Sequence, residues 1–246
     1  MNRLTLIAAT ILSFSLAACG PKATDNTATS PAASQTGVAP PAGKQWTDVV
    51  SKTPEGGFIE GNPNAAVKLI EYGSYSCPHC RDFSAESAQE VHTMVNSGKL
   101  SYEYRTYIRD PIDMMVAVLA HCGGAEPFFP LSEQLFENQT AMMTKVQAMG
   151  DANYSATIAK PLNERFVLLA QASGLIDFVK QRGMSETTAK QCLSDGKTIE
   201  ALAKQVQDYN DKYKIQGTPS LYLNGTFVEN VATWEAMKAK LREAGI

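Results

Sequence analysis

Two hydrophobic periods alternate along the chain, and each switch between them marks an element. Ala66–Tyr72 is a near-continuous apolar run, the pattern of a strand buried on both faces. From Cys80 the period lengthens: Cys80, Phe83, Ser87, Val91 and Val95 recur at helical spacing, and Gly98 stands ready to end the helix. Leu100, Tyr102, Tyr104, Thr106 and Ile108 then alternate with Lys99, Glu103 and Arg105, which predicts a strand with one face inward. A short strand at Phe58–Glu60 and the turn Gly61-Asn62-Pro63-Asn64 precede the apolar run. Strand, helix, strand makes a βαβ unit.

A long helical block follows. Met115, Val118, Leu119 and Cys122 share one face before Gly123-Gly124, and further helical patterns run through Leu131–Phe136, through Leu162–Ser173 to Gly174, and from Ser185 past Cys192. They predict an all-helical insertion over about residues 111–195. Ile199, Leu202, Ala203, Val206 and Tyr213 line another helix. Strand character returns at Ser220–Leu223, turns at Asn224-Gly225 and resumes at Thr226–Val228. Trp234, Met237 and Leu241 mark a last helix with Thr233 as its N-cap, so the tail reads ββα.

The beginning of the chain has a different character. Arg3 and the apolar Leu4–Ala18 segment form an export leader over residues 1–19, too short for a convincing membrane span. Leu16-Ala17-Ala18-Cys19 resembles a lipobox, in which the cysteine is lipidated and becomes the new N-terminus; the alternative is an ordinary cleaved signal with a chance cysteine. Either way the expected compartment permits disulfides. Residues 20–45 are low-complexity Ala, Thr, Ser, Pro and Gly, too poor in large apolar groups to fold, and read as a tether. Residues 46–246 then suit one domain with an insertion. With 22 basic and 25 acidic side chains, nothing points to nucleic acid or an anionic membrane surface.

Candidate chemistry concentrates in Cys77-Pro78-His79-Cys80, at the junction of the apolar strand and the helix. Two thiols two residues apart at such a junction suit dithiol/disulfide exchange. Pro78 fits the first helical position, where an amide hydrogen would have no partner. The helix start and its dipole favour a thiolate on Cys77, and His79 adds a proton-bearing ring. Cys77 thus reads as an exposed nucleophile of low pKa and Cys80 as the resolving thiol. A zinc site needs a second ligand pair that the sequence lacks, haem attachment needs a His where Arg81 stands, and a purely structural bridge has no use for the Pro-His insert.

Glu71-Tyr72-Gly73-Ser74-Tyr75-Ser76-Cys77-Pro78-His79-Cys80 and Gly217-Thr218-Pro219-Ser220, in that order and separated by a helical insertion, resemble the DsbA family. The resemblance covers about Gly57 to Ile246 and implies an α/β thioredoxin-like fold, βαβ then ββα. It implies that Pro219 is a cis-proline packed against the cysteine pair and that Thr218 presents its backbone to an extended substrate; otherwise Pro219 simply starts an edge strand. It makes Glu71 the buried acid beneath the pair, a proton acceptor for Cys80, against the alternative of a strand-end Glu reaching solvent. Cys122 and Cys192 are then left over, and an exported protein rarely leaves both free, so a disulfide between two helices of the insertion is expected, as in some members of the family; a Cys122 thiol buried on its apolar face is the alternative.

The implied activity is oxidation of newly exported proteins, with substrate attached through Cys77 and no cofactor or metal required. The implied partners are unfolded thiol proteins and a DsbB-like quinone-linked membrane protein for reoxidation. A monomer on the periplasmic side of a bacterial membrane is expected, anchored through Cys19, with the outer membrane favoured. An isomerase or reductase of the same fold is the nearest alternative, and a copper chaperone using Cys77 and Cys80 is one of another class. His92 is expected on the outer face of its helix, His121 as structural, and the methionines as core or rim of an apolar peptide-binding surface.

Overall fold

The computed structural model describes residues 38–246; the expected leader, Cys19 and the tether as far as residue 37 lie outside the described residues. The next residues already belong to the domain: Trp46 is buried and its indole N–H donates to the Val38 carbonyl at 2.8 Å. A short strand, β1 (Val50–Lys52), follows, which the sequence pattern does not announce.

Next come β2 (Phe58–Gly61), β3 (Val67–Gly73), α1 (Pro78–Asn96) and β4 (Leu100–Thr106). The insertion comprises α2 (Pro111–Cys122), α3 (Phe128–Glu137), α4 (Gln139–Ala148), α5 (Asp151–Ile158), α6 (Leu162–Ala172), α7 (Leu175–Lys180) and α8 (Glu186–Ser194). Then α9 (Gly196–Tyr213), β5 (Ser220–Leu223), β6 (Thr226–Phe227) and α10 (Trp234–Glu243) complete the chain. The described strands form one sheet in the order β1-β2-β4-β3-β5-β6. Only β3 and β4 run parallel, and α1 makes the crossover between them.

Helix ends follow local chemistry. Gly98 takes a left-handed φ of 74° just past α1, Asp110 caps α2 by accepting from the Asp113 N–H, and Thr233 accepts from the Ala236 N–H at the start of α10. One sheet face packs Leu69, Leu100 and Leu221 against Phe83 and Val91 of α1 and Met237 and Leu241 of α10. The insertion builds its own core around Met115, Leu119, Phe128, Leu169 and Leu193, continuous with the cysteine pair. Met114 and Met142 are buried there too. Cys122, ending α2, and Cys192, on α8, are joined by a disulfide that closes a loop across a separation of 70 residues.

On one point the alternation in β4 misleads. Glu103 and Arg105 do not face solvent; they are 6% and 4% exposed, because α9 covers the second face of the sheet. Arg105 Nε donates to Glu103 Oε1 at 2.7 Å, its Nη1 donates to the Tyr72 hydroxyl at 2.6 Å, and the guanidinium lies over the Tyr72 and Tyr213 rings. Burial of a charge is tolerable only with such a set of partners. Arg105→Leu strands the Glu103 carboxylate, and we expect it to lower unfolding stability in urea by about 3–5 kcal/mol. The Arg105→Leu/Glu103→Leu double variant should recover a large part of that loss; a double variant no better than the single one contradicts this account.

Candidate active site

α1 starts where it does because Pro78 occupies its first turn and Cys77 remains extended, with φ −82° and ψ 121°. The backbone N–H groups of His79 and Cys80 therefore point at the Cys77 sulfur. No bond joins Cys77 to Cys80 in this structure. Cys80 is fully buried, and the Ser74 N–H donates to its Sγ at 3.4 Å.

Cys77 departs from expectation, being only 2% exposed. Its cover comes from the other half of the fold. β5 pairs with β3 in the register Tyr72↔Ser220 and Glu71↔Leu221, which brings the preceding residues over the start of α1. The Thr218–Pro219 bond is cis, and the Cys77 thiol donates to the Thr218 carbonyl at 3.2 Å. Thr218 Oγ1 is buried without a partner, the donor available to this sulfur once it has ionised. Pro78 and His79 are exposed at the rim.

The two sulfurs are electrically unequal. A hydrogen bond from the Cys80 thiol, outweighing the opposing effect of burial, holds Cys77 down to about 4, with Thr218 and the two backbone amides adding to it. Burial and the same hydrogen bond push Cys80 well above the ordinary thiol range. Glu71 lies 1% exposed in the sheet, in one row with Tyr104 and Leu221. Burial raises it to about 7, against the Tyr102 hydroxyl, which donates to Oε2 at 2.7 Å. Its Oε1 has no partner. Gly73 permits this packing, since a Cβ there would sit 2.8 Å from Glu71 Oε1 and 2.5 Å from the Tyr104 ring. The strand-end carboxylate reaching solvent is thus excluded.

Two further residues brace the cysteine loop, and the sequence reading passed over both. Asp113 of α2, 1% exposed, accepts from the Ser74 hydroxyl at 2.8 Å, the Ser76 N–H at 2.7 Å and the Arg109 N–H at 3.0 Å. Gln139 of α4, 3% exposed, donates to the carbonyls of Tyr75 at 2.8 Å and Cys77 at 2.9 Å. Asp110-Pro111-Ile112-Asp113 reads as a helix start, which hides the second role of its last residue; Gln139 gives no sequence signal. His92 also differs from expectation. It is half-buried between α1 and α3, 2.9 Å from Glu133 and 4.0 Å from Glu60, because α3 covers that side of α1. His121 is half-buried against Phe58 and Phe128, and desolvation pushes it down to about 3.

Fold and site define a class: a thioredoxin-type scaffold with a buried dithiol at a helix start, a cis-proline against it and a helical insertion, the DsbA-like form. The thioredoxin family model matches residues 53–243, and the chain belongs to that family. Disulfide bond formation protein D of Bacillus subtilis is 24% identical over 210 residues, covering 81% of this chain and 83% of that protein. A Rickettsia bellii protein with the provisional name protein-disulfide oxidoreductase is 26% identical over 183 residues, which span 74% of this chain and 62% of its own length. Among solved structures, a protein-disulfide isomerase from Novosphingobium aromaticivorans superposes with a TM-score of 0.72 at 29% identity, covering 76% of this chain and 97% of that one. Wolbachia pipientis alpha-DsbA1 has the same fold, with a TM-score of 0.62 at 16% identity over 81% of this chain and 96% of its own.

The unequal sulfurs predict a pH dependence. A Cys77 thiolate stabilises the folded reduced form fully above the ordinary thiol value of 9.0, and that stabilisation is lost as pH falls through about 4. In the oxidised form Cys77 does not titrate, while Glu71 is present in both. The stability of reduced minus oxidised protein, from urea melts, should therefore fall steadily from pH 9 to pH 4. A difference independent of pH contradicts the assignment.

Proposed function

We propose that this protein is an exported, lipid-anchored thiol:disulfide oxidoreductase that gives its Cys77-Cys80 disulfide to newly secreted proteins. The observation that carries the direction is the inequality of the sulfurs: a thiolate held at about 4 on Cys77 stabilises the reduced protein and so makes its disulfide a strong oxidant. A substrate thiolate attacks Cys77 Sγ, breaking the Cys77–Cys80 bond and leaving a mixed disulfide. A second substrate thiolate then displaces Cys77, so the substrate gains a disulfide and the enzyme is left as a dithiol. Thr218 and Pro219 seat the extended substrate segment, Pro78 and His79 form the rim, and Glu71 takes the proton of Cys80 when the pair closes again. Reoxidation falls to a DsbB-like quinone-linked membrane protein.

The relative from Bacillus subtilis, named for disulfide bond formation, supports this reading. No helix among the described residues is long and apolar enough to cross a membrane; the attachment proposed is a lipid on Cys19, after Leu16-Ala17-Ala18, at the periplasmic face and in the outer membrane. The name of the Novosphingobium protein favours a second reading, disulfide isomerisation.

Reactivation of reduced, unfolded ribonuclease tests the two. The oxidised protein should restore ribonuclease activity stoichiometrically, and Cys77→Ser should abolish this. Cys80→Ser, first loaded with glutathione on Cys77, should exchange it for a ribonuclease thiol and hold ribonuclease in a mixed disulfide through Cys77, glutathione leaving as the thiol. In cell fractions, Cys19→Ala should release the protein from the membrane. Activity confined to scrambled ribonuclease, with none on the reduced form, would favour the isomerase instead.

A further inference from the structure

The buried acid beneath the cysteines does not stand alone. Beside it lies a small, partly open pocket of about 30 Å3 between the sheet, α1 and α3, large enough for roughly two water molecules. Glu71 lines one part of it, and Glu60, Tyr102, Ser87, His92 and Glu133 line the rest. Glu60 is 2% exposed and, like Glu71, has a carboxylate oxygen without a partner. In the sheet Glu60 opposes Tyr102 and Glu71 opposes Tyr104, so the two residues flank β4 on the same face, their backbones about 12 Å apart across two strand spacings and a two-residue stagger. Tyr102 bridges the gap through its hydroxyl on Glu71. At the outer part stand His92 and Glu133, whose side chains are about one-third exposed and 2.9 Å apart.

Glu60 and Glu71 each present to this pocket a carboxylate oxygen with no protein partner, and a buried acceptor left so is destabilising unless water or a proton reaches it. Water entering a pocket with a buried acid at its inner end and a half-exposed imidazole and carboxylate at its outer end can carry protons. We propose that Glu60, His92 and Glu133 are the outlet of a proton relay that passes the proton of Cys80 from Glu71 to solvent each time the disulfide closes. His92 and Glu60 are positioning residues in this scheme; neither touches a reacting sulfur.

The Cys80 thiol loses its proton to Glu71, the Cys80 thiolate attacks Cys77 Sγ of a mixed disulfide, the Cys77–Cys80 bond forms, and the departing thiolate carries away the electron pair. Glu71 is then neutral, and its proton passes by way of cavity water to Glu60 or His92. The facing groups suit transfer. Glu71 is faced by Cys77 and Cys80 of α1, by Tyr102 and Tyr104 of β4 and by Tyr75. Glu60 is faced by His92 of α1, Glu133 of α3 and Tyr102 of β4. Burial raises Glu60 to about 7, level with Glu71, while the hydrogen bond to Glu133 raises His92. Donor and acceptor are thus matched near neutral pH, where general acid–base transfer is most effective.

This inference rests on the dithiol reading above, and the test separates the two. Reduced full-length protein is mixed with excess oxidised glutathione, and release of the second glutathione on closure is followed by acid quench and mass spectrometry between pH 5 and 8. For His92→Gln we expect closure about tenfold slower between pH 6 and 7.5, with recovery on adding imidazole and an unchanged Cys77 thiolate titration. Ser87→Val, which narrows the cavity and removes no titratable group, should also slow closure but gain nothing from imidazole. Closure rates of both variants that follow the unmodified protein at every pH overturn the relay and leave the oxidoreductase reading intact. An unmodified protein that never closes the Cys77–Cys80 bond overturns both.

Discussion

One negative charge at the start of α1 organises this molecule. Holding it on Cys77 requires donors converging on a single sulfur: two backbone amides from the first turn of α1, the Cys80 thiol one turn inside, and the Thr218 hydroxyl from the far half of the chain. None of these is local to Cys77 alone. The first depends on Pro78 and the extended Cys77 that precedes it, and the last on the β3–β5 register that places the Gly217–Pro219 turn. An error of one residue in that register would turn Leu221 out of the core and carry Thr218 away from the sulfur.

The helical insertion serves the same end. Asp113 accepts from the Ser76 amide and Gln139 donates to the Tyr75 and Cys77 carbonyls, groups of the Ser74–Cys77 loop that no strand can pair, so α2 and α4 brace the reactive turn. Ser132 of α3 fixes the Tyr75 hydroxyl at 2.7 Å. A disulfide between α2 and α8 restrains the insertion itself, a contribution of about 2–5 kcal/mol for a native bridge. Positioning a thiolate in a core demands this much support, because any slack would let water equalise the two sulfurs.

Much of this was legible in the sequence, for identifiable reasons. The strand-to-helix switch at Cys77, the glycine stop at Gly98 and the Gly217-Thr218-Pro219 turn are local signals, and local chemistry decides them. What the sequence hid was tertiary. The alternation of β4 could not reveal that α9 roofs its second face, so Arg105 looked solvated when it is a buried, fully partnered charge. Cys77 looked exposed because its cover is contributed from residues 141 positions further along. Asp113 was disguised by the helix-start grammar around it, and His92 by a helical face that appears free until α3 is packed on it.

A thiolate held on Cys77 would stabilise the dithiol form over the disulfide. The most direct measurement is the equilibrium reduction potential of the Cys77-Cys80 pair in glutathione buffers, with alkylation mapped separately at Cys122 and Cys192. The account predicts a value well above the roughly −270 mV of thioredoxin, every 30 mV corresponding to about 1.4 kcal/mol of preferential stabilisation. A value at or below thioredoxin's would contradict it, since the charge at the start of α1 would then contribute nothing to the direction of electron flow.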